Sequence, residues 1–169
     1  MTLRVRPLAD ADREWLAVLL DAEWGGPEQV LEHETYRPLE QDALIAEAGG
    51  ARVGVVAFER RGTETVVGLL HALEPRRGVG TALMDGVIGS ARDRGSATVR
   101  AVTTNDNVAA QRLYEAIGFE LRQIRRGVID RARLRKPTIP RTSADGTPIT
   151  DELEYVLELG RATGSPSAG

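Results

Sequence analysis

The chain has 169 residues, 41% of them hydrophobic and 28% charged, and a net charge of −3, the size and balance of one soluble globular domain. It has no cysteine, which excludes disulfides, thiolate metal sites and a cysteine nucleophile. No apolar run reaches the length of about eighteen residues that a membrane helix needs, and an acidic total argues against a nucleic-acid binder.

The N-terminal segment MTLRVRPLAD carries charges with no apolar stretch behind them, so no secretory signal is expected and the cytoplasm is the expected compartment. Leu3–Val5 alternates up to Pro7 and predicts a short strand. Asp10 or Asp12 is placed to cap a helix through Leu20, with Trp15, Leu16, Leu19 and Leu20 on one face. Trp24-Gly25-Gly26-Pro27 reads as a loop. Two β-rich runs, from Leu44 and from Val53, flank Gly49-Gly50 as a hairpin, and a third follows Gly62 over Thr65–Leu73.

The pattern then changes. Gly78-Val79-Gly80 leads into a helix over Thr81–Arg94, on which Leu83, Val87 and Ala91 share a face, and Gly95 ends it. Ala97–Thr103 is a strand, Asn105-Asp106-Asn107 a turn, Val108–Ile117 a helix ended by Gly118, and Phe119–Val128 a strand. Residues 129–150, with Pro137, Pro140 and Pro148, read as irregular, Leu153–Leu159 as a last strand, and 161–169 as a disordered tail. Together these predict an α/β (α+β) fold, a mixed, mostly antiparallel sheet with helices on both faces, over residues 1–160.

A strand, then Arg76-Arg77-Gly78-Val79-Gly80-Thr81, then a helix suits an anion. Glycines permit close approach, free amides of the first helical turn point outward, and the arginines match phosphate oxygens. A plain tight turn fits the same residues. The dinucleotide fingerprint is not met, because Leu83 stands where its third glycine belongs, and the Gly-Lys-Ser/Thr of a kinase-type P-loop is missing. Residues 122–136 hold seven bases against one acid, Asp130, which reads as a solvated face or as a site for an anionic group.

One helix and one strand later comes Asn107-x-x-Ala110-x-x-Leu113-Tyr114-x-x-x-Gly118-Phe119. With the glycine turn in this order, the chain resembles the GNAT superfamily of acyl-CoA-dependent N-acyltransferases. Arg77–Ala82 resembles that family's pyrophosphate motif, through Arg77, Gly80 and Ala82. The family usually has Arg or Gln three residues before the first glycine, where this chain has Pro75. Asp12-Arg13-Glu14-Trp15, Trp24-Gly25 and the late Lys136-Pro137-x-Ile139-Pro140 and Gly146-x-Pro148-Ile149-x-Asp151-Glu152 further resemble a bacterial subgroup.

The resemblance implies a GNAT-like sheet and transfer of an acetyl group from acetyl-CoA, as co-substrate, to a primary amine by direct attack, without an acyl-enzyme and without a metal. It assigns cofactor contacts to Leu73, Arg76, Arg77, Gly78, Val79, Gly80, Thr81, Ala82, Asn107, Ala110 and Tyr114. Within these, a backbone amide near Leu73 polarises the thioester carbonyl and Tyr114 protonates the departing thiolate. His71 is the expected general base, with Glu64, Glu74 or a water chain as alternatives and His33 as a remote one. Trp24, Tyr36 and the 129–150 segment are the expected acceptor side. The expected partners are a small-molecule or peptide amine and, as one option, a second copy in a homodimer, with no nucleic acid and no membrane. A protein N-terminal or lysine acetyltransferase and a catalytically silent acyl-CoA-binding sensor are the competing readings.

Overall fold

The computed structural model describes residues 2–74 and 77–160. Arg76, Pro75 and the expected tail at 161–169 lie outside the described residues. In chain order the elements are β1 (Leu3–Pro7), α1 (Arg13–Trp24), β2 (Gln29–Val30), β3 (Thr35–Tyr36), β4 (Asp42–Ala48), β5 (Ala51–Arg61), β6 (Glu64–Ala72), α2 (Val79–Asp93), β7 (Thr98–Thr104), α3 (Val108–Ile117), β8 (Glu120–Arg125), α4 (Ile129–Arg135) and β9 (Glu152–Glu158). Seven strands form one sheet in the order β1-β4-β5-β6-β7-β9-β8, antiparallel everywhere except between β6 and β7. No described helix is long and apolar enough to cross a membrane.

The expected mixed, mostly antiparallel sheet with helices on both faces is what the chain forms. β5 explains how. Its Val55 and Ala57 pack with Leu16, Leu19 and Leu20 of α1, while Val56 and Phe58 pack with Leu83, Met84 and Val87 of α2. Alternate residues of a strand point to opposite faces, so a strand apolar at both parities needs a helix on each side. Gly54 and Gly86 let α2 settle closely. A Cβ at Gly54 would stand 2.6 Å from Val79, and one at Gly86 would stand 2.6 Å from Leu44.

Three expectations change. Asp12 does not cap α1: its carboxylate accepts from the Ala9 amide and from Arg6 and Arg52, tying the chain before α1 to β1 and β5. The 129–150 segment is not wholly irregular, since α4 occupies its start. Arg131, Arg133 and Arg135 alternate and so hide a helical period; the helix is held by Ile129 and Ala132 buried beneath it and by Arg133 donating to the carbonyls of Ile139, Pro140 and Ile149. The two-residue strands β2 and β3 had no counterpart in the sequence reading, because two residues carry no periodicity.

Candidate active site

β6 and β7 pair in parallel only from Glu64↔Thr98 to Val67↔Ala101. Beyond that point β6 runs on to Ala72 and β7 to Thr104, so the sheet opens into a fork. A cavity of about 790 Å³ occupies it. Val67–Leu70 and Val102–Thr104 form its two walls, and Asn107–Ala110 with Tyr114 of α3 line one side. The end of α1, β2, Tyr36 and the segment from Lys136 to Ile149 line the other.

The fork bares backbone donors. Leu73 donates its amide to Val53, and Leu73 therefore shares parity with the pairs His71↔Val55 and Leu69↔Ala57. In an antiparallel ladder the residues between turn their amides to the opposite side. Leu70 and Ala72 thus present N–H groups toward β7, where no strand pairs them. Leu73's own amide is thus committed to β5, and of the two neighbouring amides turned to the fork the one that lines the cavity is Leu70.

The glycine turn lies past the end of β6. Gly78 has φ of 75° and open space where a Cβ would stand, a conformation that favours glycine. The first backbone bond of α2 is Ala82 to Gly78, so the amides of Val79, Gly80 and Thr81 have no helical acceptor, and no side chain caps them. They form the positive end of a helix of 15 residues. Gly80 has a second role: a Cβ there would stand 2.9 Å from Leu113, so glycine also lets α2 approach α3. Arg77 is exposed beside the turn and pairs with Glu74.

Asn107 caps α3, its side-chain oxygen accepting from the Ala110 amide at 3.1 Å. Two turns on, Tyr114 is buried against Phe119 and Tyr155 and lines the cavity. Burial holds its phenol protonated, well above the ordinary tyrosine value. Among the described residues its hydroxyl has no hydrogen-bond partner, in contrast to Tyr155, which donates to Glu115.

The expected bases are all occupied. Nδ1 of His71 accepts from the Trp24 indole at 3.1 Å, which leaves the ring proton on Nε2, and burial lowers the histidine's pKa. Glu64 pairs with Arg100 and Glu74 with Arg77. His33 is exposed beside Glu32. None of these four lines the cavity, whereas Trp24 and Tyr36 do. The basic stretch 122–136 is largely spent on neighbours: Arg125 on Glu152 and Glu154, Arg131 on Glu32, Arg135 on the carbonyls of Leu31 and Glu32. Lys136 donates to the carbonyls of Trp24 and Glu28. Sequence reasoning missed the cavity's own acids, Asp21, Glu23, Asp106 and Asp145, because they belong to three separate segments that carry no shared motif.

Residues 13–119 match the model of the Acetyltransferase (GNAT) family. The uncharacterised protein YxbD of Bacillus subtilis (strain 168) is 28% identical over 160 residues, covering 93% of this chain and 99% of its own length. Among solved structures, the IAA acetyltransferase from Bacillus cereus ATCC 14579 superposes with a TM-score of 0.72 at 17% identity, over 93% of this chain and 99% of that one. A GNAT family acetyltransferase from Elizabethkingia anophelis with acetyl-CoA bound superposes with a TM-score of 0.64 at 17% identity, over 92% and 97%. A forked sheet, a bare helix start at its mouth and a family match spanning both make one statement: the chain belongs to the GNAT acetyltransferase family and is an acyltransferase.

Proposed function

We propose that the protein transfers an acetyl group from acetyl-CoA to a primary amine by direct attack. The fork between β6 and β7 carries this reading, because it joins free amides, a phenol and an anion cradle along one path. The cofactor's pyrophosphate sits at the amides of Val79, Gly80 and Thr81, with Arg77 beside them and Ala82 closing the first turn. Its pantetheine arm passes Asn107 and Ala110 into the fork, where a peptide-like chain can pair with the open edge of β6. The Leu70 amide faces the thioester carbonyl and stabilises the charge that grows on its oxygen.

The neutral amine attacks the carbonyl carbon, a C–N bond forms and the C–S bond breaks. Tyr114, held protonated by burial, donates to the departing thiolate. The amine's proton leaves through water in the cavity. With Nδ1 engaged by Trp24, His71 serves as a positioning residue that ties β6 to the end of α1. The relative with acetyl-CoA bound supports the choice of donor. The test is an acetyl-CoA consumption screen across pools of amines, amino acids, aminoglycosides and peptides, read as free thiol. Thiol release with one pool supports enzymatic transfer; acetyl-CoA binding with no release in any pool supports a silent sensor instead.

A further inference from the structure

The cavity has a charge of its own. Its charged lining consists of Asp21, Glu23, Asp106, Asp145 and Lys136, four acids and one base, and no arginine. This stands against a chain with 22 lysines and arginines. On the adjoining sheet face the carboxylates are neutralised, Glu34 and Glu64 by Arg100, Glu152 and Glu154 by Arg125. The cavity's four acids have no ion-pair partner among the described residues; Asp106 accepts only from the Thr104 hydroxyl, and Asp145 from the Ser143 hydroxyl and the Thr147 amide. Lys136 does not offset them, since its ammonium is turned onto the carbonyls of Trp24 and Glu28.

Two further features have the same sign. α1 ends at this wall, with Gly25 as its left-handed cap, so the negative end of the helix dipole faces the cavity. The Trp24 ring lines it too, and aromatic faces attract cations; Tyr36 also lines it, but its ring already carries the Arg61 guanidinium. The segment after α4 is tied to this wall: Lys136 donates to the carbonyls of Trp24 and Glu28, and Thr138 to the Gly25 carbonyl.

We infer that the acceptor is a small aliphatic di- or polyamine, one ammonium held by Asp21, Glu23 and Asp145 while a second, neutral amino group attacks the thioester. This rests on the acetyl-transfer reading above. The balance is that of any N-acetylation: the diamine gains one acetamide in place of one N–H, and CoA leaves as the free thiol.

The experiment compares 1,4-diaminobutane, spermidine, n-butylamine, L-glutamate and a neutral peptide as acceptors, with kcat/KM read from thiol release. Acetyl-CoA binding is followed on the same samples by thermal shift. The diamine is expected to exceed butylamine by about tenfold or more, the sum of several weak exposed charge contacts. The excess should shrink with added salt and in the double variant Asp21→Asn/Glu23→Gln, and more modestly in Asp145→Asn. All three residues are surface carboxylates with no ion-pair partner, so these variants should fold. Equal rates for diamine and monoamine, preference for glutamate or the peptide, an unchanged preference in the double variant, or no turnover of any acceptor despite acetyl-CoA binding each overturn the inference. Absence of acetyl-CoA binding defeats the acetyl-transfer reading itself.

Discussion

The indole N–H of Trp24 donates to Nδ1 of His71 across 3.1 Å, with the two rings edge to face. This bond joins the last residue of α1 to the stretch of β6 that pairs with β5 but not with β7, and exists only while the imidazole is neutral at Nδ1. Burial acts in the same direction and lowers the histidine's pKa. The unfolded chain therefore binds this proton first as pH falls. The stability this residue contributes is full above about pH 6.5 and is lost as pH drops through the folded-state value. Trp24→Phe should raise the His71 pKa, visible in a histidine NMR titration, and a fall instead would contradict the bond. Direct general bases contribute roughly a hundredfold or more. His71→Asn should cost kcat less than about tenfold if the proton leaves through water.

Tyr114 separates chemistry from packing cleanly. Its ring is buried, yet its hydroxyl bonds to no described residue. Tyr114→Phe should therefore leave the thermal midpoint nearly unchanged while lowering kcat by roughly 10- to 1,000-fold, the span of general-acid contributions or somewhat below it. The KM for acetyl-CoA should barely move. Turnover at the wild-type rate would reduce the residue to packing.

Acetyl-CoA should stabilise the fold by about 2.7 kcal/mol at a hundredfold excess over Kd, a rise of a few degrees in midpoint for a chain of this size. Gly80→Glu should abolish the rise, because its side chain meets Leu113 and sets a carboxylate at the bare helix start. Gly89, on the same helix with nothing within 4 Å of a Cβ, supplies the control, and Gly89→Glu should keep the full shift.

The elements with a strong period or a strong punctuation mark were readable in advance. Val108–Ile117 is helical between Asn107 and Gly118, as its cap and its stop residue imply, and Gly49-Gly50 turns β4 into β5 with positive φ at both. What was not readable depends on contacts distant in sequence. α4 is a helix because Arg133 reaches carbonyls six to sixteen residues away, and its own letters alternate. The expectation of a polarising amide near Leu73 could not say which amide, because ladder parity, which only the pairing with Val53 reveals, binds that of Leu73 to β5 and turns that of Leu70 to the fork. Asp12 looked like a helix cap and is instead the hub of two arginines that come from β1 and β5.

That hub should be felt in stability. Asp12 is 1% exposed and bonds Arg6, Arg52 and the Ala9 amide. These bonds hold its carboxyl well below the ordinary aspartate range, the Arg6 contact foremost. Its contribution is thus present above the unfolded value near pH 4 and is lost as acid approaches the depressed folded value. Asp12→Ala leaves Arg6 with Glu47 alone and Arg52 without a carboxylate, and should cost about 2 kcal/mol, measured by urea unfolding at neutral pH, with a smaller difference from wild type in strong acid. An effect below about 0.5 kcal/mol would place the cluster among ordinary surface pairs.

Lys136 holds the roof of the cavity. Its ammonium, half-buried, donates to the carbonyls of Trp24 and Glu28, and these bonds fasten the segment after α4 to the end of α1. Burial lowers its pKa, although its nearness to Glu28 opposes that shift. The charge faces carbonyls rather than the cavity, so its removal should loosen the roof without adding or removing a contact to acetyl-CoA, which the proposed reaction brings in along the opposite wall. Lys136→Met keeps the aliphatic stem and removes both bonds. It should raise the acceptor KM several-fold, leave the acetyl-CoA thermal shift intact and leave kcat at saturating acceptor close to wild type. Replacing residues 132–147 by a short Gly/Ser linker removes the whole roof and should abolish transfer to the true acceptor while acetyl-CoA still binds. Should acetyl-CoA binding vanish too, the segment is structural, because Ile129 and Ala132 are buried and Asn105 is bonded to Pro148, Thr150 and Asp151. In that outcome acceptor recognition would fall to Trp24, Tyr36 and the carboxylates at the end of α1.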